Sequence, residues 1–215
     1  MWELRYGGLV LESGPGRGEP AQVTACLREA ARAAGLDALT AAPEREALLK
    51  RLAFLAERRP ELPALDEAAL ADVLAELCEG RRSFAELRAA EPLRWLAARL
   101  GPDGERLLAQ AAPEHVTLPG GRRCEVHYER RQPPWIQSRL QDFFGMRQGP
   151  EVAGVPLVLH LLAPNKVAVS VTSDLQSFWQ SAYVRERKAL QRRYPKHAWP
   201  EDPASASPPR PGKVR

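Results

Sequence analysis

Basic side chains recur along the last periodic segment of the chain at a spacing that suits an anionic polymer. Arg185, Lys188 and Arg192 stand at positions i, i+3 and i+7, which one face of an α-helix presents together. Guanidinium and ammonium groups in such a row can each contact a phosphate of a nucleic-acid backbone. The spacing predicts a phosphate-contacting helix, and an ordinary solvated helix face is the alternative.

A basic and aromatic segment follows this row directly. Lys196 and His197 stand between Tyr194 and Trp199, and prolines bound the segment. This interleaving suits single-stranded nucleic acid, because bases stack on aromatic rings while phosphates pair with cations. The alternative is that Tyr194 and Trp199 fold back on the domain and that the prolines stiffen the return. Both interpretations are open for Lys196, His197 and Trp199.

The sequence contains no motif for catalysis. GxxxxGK[ST] does not occur, and the glycine-rich residues 14–18 lack the Lys-Ser/Thr pair that holds nucleotide phosphates. Residues 66–69 (DEAA) begin like a DEAH box but lack its histidine, so Asp66 is predicted to cap a helix. The 4 histidines and 3 cysteines are scattered without the spacing of a metal site or a disulfide framework. The sequence predicts no catalytic residue and no metal ligand.

Charge is distributed unevenly along the 215 residues. Before Pro113 the chain carries 15 Lys and Arg against 18 Asp and Glu, and from Pro113 onward it carries 16 against 9. A polyanion would therefore dock on the second half. Sparse cysteines, the lack of a signal-peptide pattern and the lack of an apolar run of about 20 residues predict a cytoplasmic chain with no membrane contact.

The first half of the chain is predicted to be mostly helical. Residues 4–11 alternate and then become continuously apolar around a Gly-Gly pair, which predicts a short strand or half of a hairpin. Pro20 and Gly35 bracket the first helix, and Ser83 with Glu86 forms a capping box for a later one.

From residue 113 onward the predicted element order is ββαββα. The parts are a hairpin at 115–128, a helix from Pro133 to Gly145, strands at 157–162 and 167–171, and a long helix from a cap at 172–174 to about Tyr194. The first of these helices is predicted to bury Trp135, Ile136, Leu140, Phe143 and Phe144. The predicted fold class is α+β, a helical array followed by a small ββαββα domain with a long C-terminal helix.

The long helix is predicted to bury one arc of its surface. At about 100° per residue the arc contains Leu175, Phe178, Trp179, Ala182, Tyr183, Ala189 and Leu190. Glu186 falls inside it, so either Glu186 pairs with a nearby arginine, or the helix is rotated from this phase and the basic row is misplaced. The predicted core of the domain contains Phe143, Phe144, Leu159, Leu161, Val169, Phe178 and Trp179.

Four segments resemble the C-terminal region of bacterial HrpB-type ATP-dependent RNA helicases of the DEAH/RHA group. They are residues 139–145 (RLQDFFG), 156–162 (PLVLHLL), 174–179 (DLQSFW) and 194–203 (YPKHAWPEDP). The resemblance extends from about residue 9 to residue 203, and Glu186 departs from it, since the family pattern has an aliphatic residue there. It does not include the motor domains, so ATP and magnesium are expected only for motor domains outside this sequence.

The resemblance also implies a division into domains. The expected parts are residues 1–19, a strand and linker left from an OB-like domain; 20–112, a helical domain; 113–203, an HrpB C-terminal-like α+β domain; and 204–215, a disordered tail rich in Pro, Ser and Arg.

The implied function is that of an accessory region, encoded as a split or truncated chain. It would pack on the motor or contact RNA or single-stranded nucleic acid without catalysing ATP hydrolysis itself. Its expected partners are RNA and a separate chain that carries the motor domains. The rival hypothesis is a protein-interaction module without affinity for nucleic acid, which docks through its acidic helical half. The third hypothesis is a decayed fragment without an independent role.

Overall fold

The computed structural model describes residues 2–14, 19–63, 65 and 67–210. The predicted cap at Asp66 lies outside the described residues. The predicted α+β class is confirmed. The chain forms two compact units, Met1–Leu48 with Leu62–Glu105, called the helical unit, and Leu49–Glu61 with Arg106–Arg215, called the sheet unit. The domain limits inferred from the sequence stay predictions.

A β-hairpin and a series of helices make up the first half of the chain. The elements are β1 (Trp2–Tyr6), β2 (Leu9–Gly14), α1 (Pro20–Ala34), α2 (Ala42–Arg58), α3 (Glu67–Leu77), α4 (Phe84–Ala89), α5 (Pro92–Ala98) and α6 (Gly104–Ala111). β1 and β2 pair antiparallel, so residues 2–14 form a whole hairpin rather than one strand. The chain passes into the sheet unit after Leu48, within α2, and again after Glu105, within α6.

The helix ends follow the signals in the sequence. Pro20 opens α1, and the amide of Gly35 at φ 65° donates to Ala31 O, which ends the helix. Ser83 Oγ accepts from the Glu86 amide at 3.2 Å. The Glu86 carboxylate accepts from the Arg82 amide at 2.8 Å, one residue earlier than a standard capping box predicts. The first contact satisfies an amide in the first turn of α4, and the second satisfies the amide of the residue before the N-cap.

The sheet unit contains short strands followed by two helices. They are β3 (His115–Thr117), β4 (Arg123–Glu125), β5 (Trp135–Arg139), β6 (Glu151–Val152), β7 (Val155–Pro156), β8 (Val158–Leu162), β9 (Ala168–Thr172), α7 (Leu175–Gln180) and α8 (Ala182–Arg193). β8 is the central strand of a three-stranded sheet, parallel to β5 and antiparallel to β9. β3 pairs with β4 and β6 pairs with β7, both antiparallel.

The helix predicted between Pro133 and Gly145 is wrong. Its first part is strand β5, and a 3-10 turn over Leu140–Phe143 follows. Burial alternates along β5, since Ile136 and Ser138 are buried while Gln137 and Arg139 are exposed. A burial period of two is that of a strand, and hydrogen bonds to β8 stabilise this strand. They outweigh the apparent helical spacing of the aromatic residues that follow.

The single long helix predicted from residue 174 to Tyr194 is also wrong, because Ser181 divides it into α7 and α8. The Ser181 backbone has φ −123° and ψ −75°, and its hydroxyl donates to Ser177 O at 2.6 Å. A serine bond to the preceding turn competes with the helical ladder. The cap at Asp174 is confirmed, since its carboxylate accepts from the Ser177 amide at 2.9 Å.

The predicted core of the sheet unit is confirmed with one exception. Phe143, Phe144, Leu159, Leu161, Phe178 and Trp179 are buried, and Val169 is half-buried. Trp179 is 5% exposed, and its indole Nε1 donates to Met146 O at 2.9 Å. The ring of Tyr183 meets the ring of Trp179 edge-on with centroids 5.3 Å apart.

A buried arginine ties the sheet-unit part of α2 to the start of β3. Arg51 Nε donates to Ala112 O at 2.7 Å, and Nη1 donates to the Glu114 carboxylate at 2.7 Å. Burial lowers the pKa of Arg51, and the charge of Glu114 opposes that shift. The paired guanidinium therefore has a structural role.

Residues 204–210 are the described part of the tail whose composition predicts disorder, and they lie close to the rest of the sheet unit. Residues 211–215 lie outside the described residues. The Gly145 amide donates to Pro203 O at 2.9 Å. A Cβ at Gly120 would lie 2.8 Å from Pro209 O, and one at Gly145 would lie 3.0 Å from Ala206 O. Glycine at both positions lets the backbone of this segment approach closely.

Among the described residues, no helix has the length and apolar character to cross a membrane.

Candidate nucleic-acid interface

The inward side of α8 is fixed by three side chains spaced at i, i+4 and i+7. Tyr183 is fully buried, and its hydroxyl donates to Pro200 O at 2.8 Å. Arg187 is partly buried and pairs with the Glu201 carboxylate at 3.0 Å. Leu190 completes the buried side. Burial raises the pKa of Tyr183 to about 12, because the phenolate form would lose its hydration.

The opposite side of α8 carries the cations that the sequence singled out. Arg185, Lys188 and Arg192 are all exposed. At about 100° per residue, Arg185 and Arg192 lie almost directly opposite the Tyr183 side. In the described part of the chain, none of the three has a carboxylate partner at salt-bridge distance. The helix therefore presents a row of unpaired positive charges.

The phase of α8 differs from the predicted one. Ala189 was predicted to be buried with Leu190 but is exposed, and Glu186 is exposed as well. The break at Ser181 rotates α8 relative to α7, which removes Glu186 from the apolar side. Of the two explanations for Glu186, the rotated helix is the one found. The row of cations keeps its spacing because all three residues lie within α8.

The segment after α8 divides the predicted aromatic and basic residues into two groups. Trp199 is 6% exposed, its Nε1 donates to Tyr194 O at 3.0 Å, and the two rings lie 6.4 Å apart. The folded-back interpretation therefore holds for Trp199, which has no open face for a base. Lys196 and His197 are exposed. We call Arg185, Lys188, Arg192 and Lys196 the basic stripe.

A second candidate surface was missed by the sequence analysis. The rings of His127 and Trp135 stack with centroids 3.9 Å apart and planes at 20°, and the rings of Trp135 and His160 stack at 4.6 Å and 25°. All three side chains are half-buried. Backbone bonds between His127 and Trp135, of 2.8 and 3.0 Å, hold the first pair in register. The alternation of polar and apolar residues over 123–128 (RCEVHY) was the available signal, but it predicts only that His127 lies on the polar side of a strand and not that it meets Trp135.

A polar cluster is buried on the other side of β5. Ser138 Oγ donates to Asp142 Oδ2 at 2.6 Å, and Arg122 Nε lies 3.6 Å from the same oxygen. Burial raises the pKa of the Cys124 thiol, and a hydrogen bond with Ser138 opposes that shift. Gln141 is 4% exposed, and neither of its amide atoms has a partner among the described protein atoms. Ser138, Gln141 and Asp142 are all buried, so the cluster belongs to the interior of the sheet unit.

The arrangement can be compared with known proteins. Residues 73–203, more than half of the chain, match the family HrpB_C, ATP-dependent helicase C-terminal. The chain belongs to this HrpB C-terminal family. The family match includes α8, the segment after it and the three stacked rings. The resemblance inferred from the sequence is therefore confirmed.

Relatives of the HrpB family extend the match over most of the chain. The ATP-dependent RNA helicase HrpB of Escherichia coli (strain K12) is 36% identical over 184 residues, which are 82% of this chain and 23% of that protein. A crystal structure of the E. coli DExH-box NTPase HrpB matches with a TM-score of 0.80 and 32% identity, over 97% of this chain and 27% of that one. A crystal structure of the E. coli DEAH/RHA helicase HrpB matches with a TM-score of 0.68 and 30% identity, over 92% and 26%. The chain spans about a quarter of the length of these relatives.

Proposed function

We propose that this chain is an accessory C-terminal region of an HrpB-type RNA helicase and that it contacts the phosphate backbone of RNA through the basic stripe. The observation that carries the proposal is the row of unpaired cations on the outward side of α8, whose inward side is held by hydrogen bonds within the sheet unit. Three hydrogen-bonding side chains, Tyr183, Arg187 and Trp199, hold that inward side and the returning segment. A phosphate-binding row benefits from such rigidity, because less conformational entropy is lost on binding.

The charges of the basic stripe suit positioning rather than base reading. Its side chains end in guanidinium or ammonium groups without internal partners, and these recognise phosphate independently of sequence. His197 lies exposed beside Lys196 and adds a polar ring at the end of the row. Trp199 is not part of the proposed contact, since it is buried.

The proposal assigns ATP hydrolysis to a different part of the helicase. Neither GxxxxGK[ST] nor a complete DEAH sequence occurs in this chain. ATP and magnesium would be held by motor domains in the cytoplasm, and these domains are the proposed protein partner of this region. Incubation of the pure chain with ATP, magnesium and RNA should release no phosphate above a no-protein control. Steady ATP hydrolysis that copurifies with the folded chain would contradict the assignment.

The decisive test for the basic stripe is charge reversal in the full chain. Arg185, Lys188, Arg192 and Lys196 are all changed to Glu, and the affinity for RNA oligonucleotides is measured at several salt concentrations. Affinity should fall alike for unrelated RNA sequences. The slope of log affinity against log salt should become shallower by about 0.7 for each lost single-strand contact.

A matched control separates this local effect from net charge. It reverses four exposed cations that have no ion-pair partner among the described residues and that lie outside the stripe. They are Arg32, Arg82, Arg106 and Lys166. The control should lower affinity far less than the stripe variant. Equal losses in the two variants, or no loss in the stripe variant with its fold intact, would refute the proposed interface.

The acidic excess of the first half supports the second candidate, a protein-interaction module. Affinity for RNA at low salt distinguishes the two functions, because phosphate contacts are strongest there, whereas docking through the acidic half requires no contact with RNA. Binding to isolated motor domains, together with no affinity for RNA at low salt, would favour this candidate.

A further inference from the structure

We propose that the outward face of the three-stranded sheet binds unpaired nucleobases of single-stranded RNA by extending the stack of His127, Trp135 and His160. The inference rests on the proposed function in taking RNA as the ligand. It concerns a different surface, and it assigns that surface a preference for single strands that the basic stripe cannot supply. We call this surface the outer sheet face.

The strands place the members of the outer sheet face on one side. Burial alternates along β5 and β8, so that Ile136, Leu159 and Leu161 are buried while their neighbours are half-buried or exposed. Strand register sets Gln137 beside His160 and His160 beside Val171. The face consists of His127, Trp135, Gln137, Arg139, Val158, His160, Leu162 and Val171.

The ring stack ends at His127 on one side and at His160 on the other. Both faces of Trp135 are covered, one by His127 and the other by His160. Within the described structure, no further aromatic ring lies against His127 or His160. Val171, which is paired with His160 across the sheet, is 56% exposed. A planar base placed on the side of His160 away from Trp135 would continue the stack and lie over the exposed part of Val171.

The polar groups on the same side favour nucleic acid over a protein partner. Arg139 is exposed at the end of β5, and Arg123 is exposed on β4. Exposed and buried residues alternate from Arg123 onward, which places Arg123 on the same side as His127. Glu125 and Glu129 are the exposed acidic residues of that alternation, and Lys50 pairs with the Glu129 carboxylate at 3.1 Å. In the described structure the two arginines therefore outnumber the one carboxylate that has no ion-pair partner. Gln137 is exposed between Trp135 and Arg139, where its amide can donate to and accept from a base edge. Protein interfaces are depleted of charge at their centres, whereas unpaired bases are often bound on a sheet by stacked rings with flanking cations.

The bases must be unpaired for this mode of binding. A base in a duplex is covered by its neighbours, and its face is not available to His160. The basic stripe would hold single and double strands alike through their phosphates. The outer sheet face would therefore add selectivity for single strands.

The experiment compares three probes on the full chain at one low salt concentration. They are a fluorescent uridine-rich single strand, a strand with the same backbone but abasic positions, and a duplex of the same length. His160→Ala should weaken binding of the intact single strand about 5- to 150-fold. Binding of the abasic strand and of the duplex should change little. His160→Phe should retain the single-strand affinity, because it keeps a stacking ring.

A charge placed on the face gives a test that does not disturb the stack. Val171→Asp puts a carboxylate where the base would lie and should weaken binding of the single strand at least as much as His160→Ala. Val167→Asp is the matched control, since Val167 is 55% exposed and precedes β9. The control should change affinity much less. Thermal unfolding of each variant verifies that the fold is retained.

The outcomes separate this inference from the proposed function. Loss of binding on stripe reversal, with His160→Ala and Val171→Asp both neutral, overturns the outer sheet face and leaves the stripe. Loss of binding in the two face variants alone supports the face and overturns the stripe. Equal affinity for intact and abasic strands overturns base stacking, and no RNA binding by the unaltered chain at low salt overturns both. A protein that binds this face and tolerates loss of the His160 ring would indicate the other class of partner.

Discussion

The two sides of α8 carry similar residues in different situations. On the inward side, Tyr183 and Arg187 each have a specific hydrogen-bond partner, and on the outward side Arg185 and Lys188 have none in the described structure. Arginine occurs on both sides, so the residue type does not distinguish a structural cation from a binding one. The partner does. Substitutions on the inward side should lower stability, and those on the outward side should lower affinity for RNA.

The largest effect on stability is expected at Trp179 of α7, which packs against Tyr183 on the inward side of α8. Trp179→Ala removes a buried indole that contacts Tyr183 and donates to Met146 O, and it should lower the free energy of unfolding by about 3–5 kcal/mol. Val184→Ala, at an exposed position of α8, is the control and should have an effect near zero. Urea unfolding measures both. Similar small losses in the two variants would mean that α7 and α8 do not pack as described.

A smaller effect, with a distinctive dependence on pH, is expected at Tyr183. Because its pKa rises from about 10 in the unfolded chain to about 12 in the folded one, the folded state retains the proton longer. Its contribution to stability is therefore complete below pH 10 and is lost as the pH rises through 12. The loss amounts to about 2–3 kcal/mol, at about 1.4 kcal/mol for each pKa unit.

Tyr183→Phe isolates this contribution from that of other groups. The variant lacks the hydroxyl that donates to Pro200 O and should be less stable by about 0.5–1.5 kcal/mol at neutral pH. Its stability should fall less steeply than that of the unaltered chain between pH 10 and 12. Parallel curves for the two proteins in that range would show that the buried hydroxyl does not cause the alkaline loss. Affinity for RNA at neutral pH should be unchanged.

The contrast between the two sides explains what could be predicted from the sequence. The row of Arg185, Lys188 and Arg192 depends only on spacing within one helix, so the break at Ser181 did not alter it. The burial of Trp199 depends on the return of the chain to Tyr194 O, which local pattern does not determine. The sequence therefore left two interpretations open there.

The outer sheet face could not be predicted for the same reason. Its stack brings together His127, Trp135 and His160 from three separate segments, and it requires the parallel pairing of β5 with β8. β5 has five residues and leads directly into a 3-10 turn, so the aromatic residues after it resembled a helix. Short strands are recognised mainly through their partners, and here the partner lies about twenty residues away in the sequence.

The smallest expected effects provide the sharpest comparison, between two arginines of the same helix. Arg187→Gln removes the pair with Glu201 and the packing of a partly buried stem, and it should cost up to about 1 kcal/mol, since Glu201 is largely exposed. Arg185→Gln should leave stability unchanged within about 0.5 kcal/mol. Affinity for RNA should show the reverse order, because Arg185 is free to contact a phosphate while Arg187 is already paired. Removal of one phosphate contact should also make the salt slope shallower by about 0.7 in Arg185→Gln alone. If Arg187→Gln weakened RNA binding as much as Arg185→Gln did, the division of α8 into a structural side and a binding side would be wrong.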